Sequence, residues 1–293
     1  MGRRRHVYQT RQHMLSGEYE IYRYVDTGMG GVSLHHHDFY ECYMFLTGCV
    51  TYVIEGRAYD LSPGDIVLIN SRELHQAVIR DPSVPYERIV LWLDRAFLRQ
   101  LSTPGTDLAR CFEIPGRSNV LYVDRETRRH IRSLLDRLIA LEEYGGFGSD
   151  LLDKAHLIEL LVLLNIHSPS SVSSTPQALP SESRLIDDVI SYINTHYEED
   201  LSLDRLADVF FLSKYHLARE FRRRTGTTLH RYTVQKKLVE AKERLLVGMP
   251  VTEVYRRCGF GDYSNFFRSF RKEYGMTPRH FYETMNGEPD PGD

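Results

Sequence analysis

The period of the hydrophobic pattern changes along the chain. Between Tyr22 and Leu93, short runs such as CVTYVIE, DIVLI and ERIVLWL alternate with Gly-Arg, Pro-Gly-Asp and Asp-Pro turns. Runs of that length between turn residues predict a small antiparallel sandwich or barrel. The spacing then becomes helical: Ile131, Leu134, Leu135, Leu138 and Ile139 fall at i, i+3, i+4, i+7 and i+8, an amphipathic helix. After the break at Gly145, Gly146 and Gly148, a second apolar-rich helix is predicted from about Asp150 to Ile166. The apolar surplus on these two helices suits either capping the barrel's edge or pairing two copies of the chain. Residues 168–183, SPSSVSSTPQALPSES, have no apolar period and read as a linker. Beyond them the pattern is helical throughout. Ser202, Ser213, Thr252 and Asp262 stand where helix N-caps are expected, and Gly226 and Gly275 where helices stop.

A chain of 293 residues exceeds the roughly 100 to 200 of one domain, so two cores are expected. The hydrophobic share of 42% and charged share of 26% are ordinary for a soluble globular protein and name no function. The net charge of −3 conceals an asymmetry: bases exceed acids in residues 184–283, and acids exceed bases before them. A basic module behind an acidic one fits polyanion binding. Arg3, Arg4 and Arg5 are followed by no apolar stretch, and the apolar run Leu160 to Leu164 is far shorter than the roughly 20 residues of a membrane span. A cytoplasmic protein without membrane contact is expected. Cys42, Cys49, Cys111 and Cys258 have neither paired nor zinc-type spacing, as reduced thiols would. No nucleophile motif, phosphate-binding glycine loop or catalytic carboxylate pair points to an enzyme.

The C-terminal part repeats itself. A shift of 49 positions matches Phe211 with Phe260, Arg219 with Arg268, Phe221 with Phe270, Arg222 with Arg271, Gly226 with Gly275 and Thr228 with Thr277. Each copy reads as a short helix, a tight turn and a longer helix, apolar on one face and basic on the other, which is the helix-turn-helix design. A helix reads the major groove when one face is buried to fix its angle and the other presents side chains to base edges. Leu217 and Phe221 are expected inside in the first copy, with Lys214, Tyr215, Ala218, Arg219 and Arg222 outside. Phe266 and Phe270 are expected inside in the second, with Tyr263, Ser264, Asn265, Phe267, Arg268 and Arg271 outside. Arg219 and Arg268 share a repeat position and suit bidentate contact with guanine. Lys214, Arg222, Arg223, Arg224, Arg271 and Lys272 suit phosphates. Solvated arginines on an ordinary bundle are the competing reading, which two copies in register, spaced by the KLVEAKERLL helix, disfavour.

In this region LSLDRLADVFFLSKYHLAREFRRRTG, KLVEAKERLL and GFGDYSNFFRSFRKEYGMTPRHFY resemble the AraC family of bacterial transcription regulators. The resemblance extends over essentially the whole chain. It implies two helix-turn-helix subdomains joined by a long helix, entering successive major-groove segments on one face of double-stranded DNA. Base contacts would come from Tyr215, Ala218 and Arg219 in the first unit and from Tyr263, Ser264, Asn265, Phe267 and Arg268 in the second. Two residues depart from the family pattern: Ala218 offers a base only a thymine methyl contact, and Tyr255 replaces a small alanine.

The N-terminal part resembles a cupin barrel, carried by His35, His37, Glu41 and Gly48 in the spacing HxH-x3-E-x6-G, then Pro63-Gly64-Asp65 and His75. Asn70 replaces the proline that commonly follows this strand. Histidines at alternate strand positions point the same way, with Glu41 also inward and His36 on the opposite face. His35, His37, Glu41, His75 and Trp92 form the candidate ligand pocket, Trp92 either stacking on a sugar ring or filling the core. The expected architecture is multi-domain: an all-β cupin-like barrel at 1–122, a helical segment at 123–167 that is the candidate for dimerisation, a linker at 168–183, an all-α double helix-turn-helix domain at 184–286 and a tail at 287–293. The resemblance implies a non-enzymatic activator that binds DNA, a small-molecule effector, expected to be a carbohydrate, RNA polymerase and a second copy of itself. No cofactor is expected, although His35, His37, Glu41 and His75 are the set a divalent metal would use. A metal-dependent cupin enzyme or metal sensor fused to a DNA-binding domain, and a constitutive DNA-binding dimer, are the alternative readings.

Overall fold

The computed structural model describes residues 14–142, 144–168 and 181–287. Residues 169–180 of the expected linker and 288–293 of the tail lie outside them. The described chain forms two units, the first built on β-sheets and the second helical.

Among the described residues the first unit is built on nine strands: β1 (Tyr19–Asp26), β2 (Val32–His35), β3 (Tyr40–Thr47), β4 (Val50–Ile54), β5 (Arg57–Asp60), β6 (Ile66–Ile69), β7 (His75–Ile79), β8 (Tyr86–Leu93) and β9 (Val120–Leu121). They form a five-stranded sheet in the order β1-β8-β3-β6-β9 and a four-stranded sheet in the order β2-β7-β4-β5. Side-chain alternation divides the larger sheet's residues between two cores. On β8, Val90 and Trp92 turn into the space between the sheets, while Ile89, Leu91 and Leu93 face the helices.

Those helices are α1 (Arg95–Leu101), α2 (Arg110–Glu113), α3 (Arg125–Leu141) and α4 (Ser149–His167). The hydrophobic pattern had not shown α1, α2 or β9. Asp124 starts α3 by accepting from the backbone N–H groups of Glu126 and Thr127, both at 2.8 Å. Ile131, Leu134, Leu135 and Leu138 are buried in one cluster with Leu157, Leu160, Leu161 and Leu164 of α4, each burial contributing roughly 1.5–3 kcal/mol. The far side of α4 leaves Leu151, Leu152, Ile158 and Ile166 exposed.

The second unit comprises α5 (Ser181–Thr195), α6 (Leu203–Val209), α7 (Lys214–Thr225), α8 (Leu229–Leu246), α9 (Val251–Arg257), α10 (Tyr263–Tyr274) and α11 (Pro278–Asn286). Ser202, Ser213 and Asp262 cap α6, α7 and α10 as their positions predicted. Thr228 and Thr277 also cap α8 and α11. Gly226 and Gly275 close their helices at φ of 70° and 73°. Thr252 is not a cap. Helix α9 begins one residue earlier behind extended Pro250, whose ring fixes φ near the −57° observed, placing Thr252 inside the first turn.

The turns correct one repeat match. Phe210, Phe211 and Leu212 donate to the carbonyls of Leu206, Asp208 and Ala207, and Cys258, Gly259 and Phe260 donate to those of Val254, Arg256 and Tyr255. The structural partner of Phe211 is therefore Gly259, and that of Phe260 is Leu212. Gly261 is the extra residue that restores the 49-residue register from the caps onward. Phe211 adopts φ of 56° with its ring 94% exposed, whereas Phe260 is 6% exposed in the core.

Candidate DNA-binding surface and sensor site

Helices α7 and α10 each separate an inner row from an outer one. Leu217 and Phe221, like Phe266 and Phe270, are fully buried. On α7, Lys214, Tyr215, Arg219, Arg222 and Arg223 are exposed, Tyr215 by 90%, while Ala218 is half-buried. On α10, Tyr263, Ser264, Asn265, Arg268, Arg271 and Lys272 are exposed and Phe267 is half-buried. Lys214 pairs with Asp204 of α6. Glu220 takes Arg223 at 2.6 Å and Arg219 at 3.3 Å, and its hydrogen bond from Arg223 heads the causes that hold its carboxyl below the ordinary range. Arg224 differs from its neighbours: it is half-buried and turns toward Asp187 of α5 at 3.7 Å. Burial raises the Asp187 carboxyl, and Arg224 opposes that shift.

The phenol of Tyr255 fills the place expected of an alanine by joining an aromatic cluster. Its ring meets Tyr263 edge-on at 5.6 Å and stacks with Phe266 at 6.5 Å. The extra bulk thus supports the start of α10 from below.

Helix α8 fixes the two helix-turn-helix units to each other. Lys237 Nζ donates to the carbonyls of Glu199, before α6, and Gly259, in the second turn, at 3.1 and 2.7 Å. Arg244 donates to the Tyr197 hydroxyl at 2.7 Å and to Glu198 at 2.8 Å. Gly259 presses so closely on this loop that a Cβ would lie 2.6 Å from the Tyr197 carbonyl oxygen.

The barrel holds the second candidate site. His35 and His75 are direct cross-strand partners with ring centroids 4.2 Å apart. His37 arrives by another route than strand alternation: β2 ends at His35, and His37 lies in the loop that follows, stacked on Phe39 at 3.9 Å. Glu41 belongs to β3 in the opposite sheet and reaches the cluster across the barrel. One ligand atom from each of His37, Glu41 and His75 lies within 4.8 Å of the others, all three residues being buried. His35 adjoins this trio without entering it, and His36 is buried outside it.

Backbone carbonyls fix all three imidazoles. Nδ1 of His35, His37 and His75 lies 2.8, 2.9 and 2.9 Å from the carbonyl oxygens of Ser33, Phe39 and Glu73. A carbonyl can only accept, so each Nδ1 carries a proton, and in the neutral ring each Nε2 presents a lone pair. Nε2 of His37 and of His75 is buried without a hydrogen-bond partner, and His37 Nε2 faces Glu41 Oε2 at 3.3 Å. Two acceptors at that distance call for a cation between them, either a proton or a metal ion. Glu41 is held by Trp92 Nε1 at 2.9 Å and by the Tyr52 hydroxyl at 3.3 Å. Burial pushes its carboxyl up, but the His37, His35 and Trp92 interactions outweigh burial and hold it below the ordinary value. Burial pulls His35 down to about 4, helped by His37, and lowers His75 in the same way.

Trp92 is 2% exposed, with its ring against Tyr22 at 5.3 Å and Phe39 at 4.8 Å. Its contribution here is the hydrogen bond to Glu41. Sequence reasoning missed Arg88, 1% exposed, paired with Asp26 and lying over the Tyr86 ring at 4.1 Å. Its signal was in the ERIVLWL run, where Arg88 shares the inward parity of Val90 and Trp92.

Residues 20–161 match the AraC-like ligand binding domain, and residues 206–284 match a helix-turn-helix domain. The HTH-type transcriptional activator RhaS of Enterobacter sp. (strain 638) is 27% identical over 250 residues, covering 84% of this chain and 85% of that protein. RhaS of Escherichia coli O1:K1 / APEC is 25% identical over 258 residues, covering 86% and 88%. Among solved structures, ToxT from Vibrio cholerae covers 90% of this chain and 98% of its own at 10% identity, with a TM-score of 0.38. No helix among the described residues is long and apolar enough to cross a membrane. With a ligand-binding module followed by a helix-turn-helix module in one chain, this protein belongs to the AraC family of DNA-binding transcription regulators.

Proposed function

We propose that this protein is a cytoplasmic, non-enzymatic transcription activator that binds double-stranded DNA through α7 and α10. The observation carrying the proposal is the pair of exposed outer rows on two helices whose inner rows are fully buried and whose spacing α8 fixes. Arg219 and Arg268 read bases, together with Tyr215, Ala218, Tyr263, Ser264, Asn265 and Phe267. Lys214, Arg222, Arg223, Arg271 and Lys272 hold phosphates. Its relatives' designation as activators supports recruitment of RNA polymerase as the output. The sensor occupies residues 1–122, the dimerising helices 123–167 and the DNA-binding domain 184–286.

The effector binds in the barrel. Buried His35, His37, Glu41, His75 and Arg88 among tyrosine and tryptophan rings suit a polar ring compound such as a carbohydrate. To regulate, it must favour one arrangement of the protein over another. Selection of bound duplexes from a random pool tests the DNA reading: Arg219→Ala and Arg268→Ala should each weaken the selected site by about 1–3 kcal/mol and relax preference at one base pair. Unchanged specificity in both would overturn the assignment. A thermal-shift screen against sugars and sugar acids tests the effector class.

The face-to-face acceptors of His37 and Glu41 favour a second reading of the barrel, as a divalent-metal sensor. His37, Glu41 and His75 fit such an ion, with imidazoles whose other nitrogens are already anchored and a carboxylate held by two donors. The ion would supply the cation that this cluster calls for. As-purified metal content and a chelator-induced fall in melting temperature, both absent in His75→Gln, would establish this reading over the carbohydrate one.

A further inference from the structure

A second charged site lies outside the barrel. A cleft of about 400 Å³ runs where the start of α3 crosses the outer face of β1, β3 and β8, lined by Arg23, Met44, Leu46, Glu87, Arg128, Arg129 and Arg132 together with Thr47 and Gly64. Two of the four guanidinium groups already have carboxylates. Arg23 pairs with Glu87, and Arg132 with Asp136 at 2.8 Å. Arg128 and Arg129 have no carboxylate partner among the described residues, and Arg128 Nε is buried without an acceptor. Gly64 makes room for this: at φ of 92° it lies so close beneath Arg128 that a Cβ there would be 2.6 Å from Arg128 Cδ.

A buried guanidinium N–H without an acceptor is costly, and arginines three and four residues apart on a helix repel one another. Four guanidiniums against two carboxylates leave two positive charges facing the cleft. A phosphate monoester carries close to two negative charges at neutral pH, and its oxygens match the planar donor fork of arginine. Met44 and Leu46 supply an apolar floor for the carbon part of such a molecule.

We infer that this cleft binds a phosphorylated small metabolite, with Arg128 and Arg129 holding its phosphate. This site is separate from the barrel interior and does not depend on what the interior binds.

The test uses the full chain and glycerol 3-phosphate, titrated by calorimetry and by melting temperature, against glycerol and chloride at equal ionic strength. Wild type should show saturable binding that both controls lack, weakened at least tenfold in Arg128→Gln. Arg129→Gln, an exposed position whose change spares the fold, should weaken it similarly. His75→Gln should bind glycerol 3-phosphate like wild type. No saturable binding in wild type, or wild-type affinity retained in both arginine variants, would overturn the proposal.

Discussion

Lys237, on the long helix between the two helix-turn-helix units, donates to the carbonyl of Gly259 in the second unit's turn at 2.7 Å. The same ammonium donates to Glu199 before the first unit. Gly259 is thereby pressed against the carbonyls of Tyr197 and Glu198 at φ of 67°, where a side chain has no room. We expect Gly259→Ala to cost about 2–4 kcal/mol, combining left-handed strain with overpacking. Urea unfolding of the full chain, followed by a probe in the C-terminal unit, measures it.

The equivalent turn position in the first unit should respond with the opposite sign. Phe211 holds φ of 56° while burying almost none of its ring. Phe211→Gly should relieve strain and stabilise the C-terminal unit by up to about 1 kcal/mol, after the added freedom of the unfolded chain is deducted. A loss of stability would show that the ring makes a contact its exposure does not reveal.

Two arginines at the end of α7 should separate by role. Arg222 is exposed, so Arg222→Ala should lower DNA affinity for all sequences and reduce the salt dependence by about one phosphate contact. Arg224 faces half-buried Asp187, so Arg224→Ala should leave the salt slope unchanged and lower thermal stability. Binding isotherms at several salt concentrations and melting curves distinguish the two.

The barrel histidines give metal-free protein a defined pH response. Burial holds His35 near 4 and His75 low in the fold, against 6.5 in the unfolded chain. Between those values the unfolded chain binds more protons, so stability should be level above about pH 6.5 and fall as pH drops toward 4. His35 alone accounts for about 3 kcal/mol across that window. Denaturant titrations of chelator-treated wild type and His35→Gln should show a shallower fall in the variant.

The exposed side of α4 should join two copies. Leu151, Ile158 and Ile166 lie at helical spacing opposite the buried row of the same helix. Ile158→Glu should shift a wild-type dimer to monomer in sedimentation without unfolding it, since Ile158 is outside the core. A wild type that already sediments as a monomer would end this reading of the helix.

Much of this was legible in the sequence because its periods are those of the elements. The rows placing Leu217, Phe221, Phe266 and Phe270 inside follow from helical spacing, and Ser202, Ser213 and Asp262 are caps by side-chain chemistry. The failures came where one residue changes the backbone path. A single inserted glycine, Gly261, hid the equivalence of Phe211 and Gly259, because the 49-residue match on either side suggested one continuous register. His37 reaches the His–Glu cluster from the loop after β2, and Glu41 from the opposing sheet, so alternation along one strand does not describe how these side chains meet. Pairing partners such as Asp187 for Arg224 depend on packing between distant helices, which spacing along the chain does not encode.

The clamp around Gly259 also bears on promoter architecture. Each inserted base pair turns the following DNA by about 34–36° about its axis, given roughly 10–10.5 base pairs per helical turn. A flexible reader could absorb that rotation, but α8, Lys237 and Arg244 brace the two units together. The promoters this protein serves should therefore hold their two recognition segments at one invariant spacing, so that adding or deleting a single base pair between them silences the promoter even when every contacted base is kept.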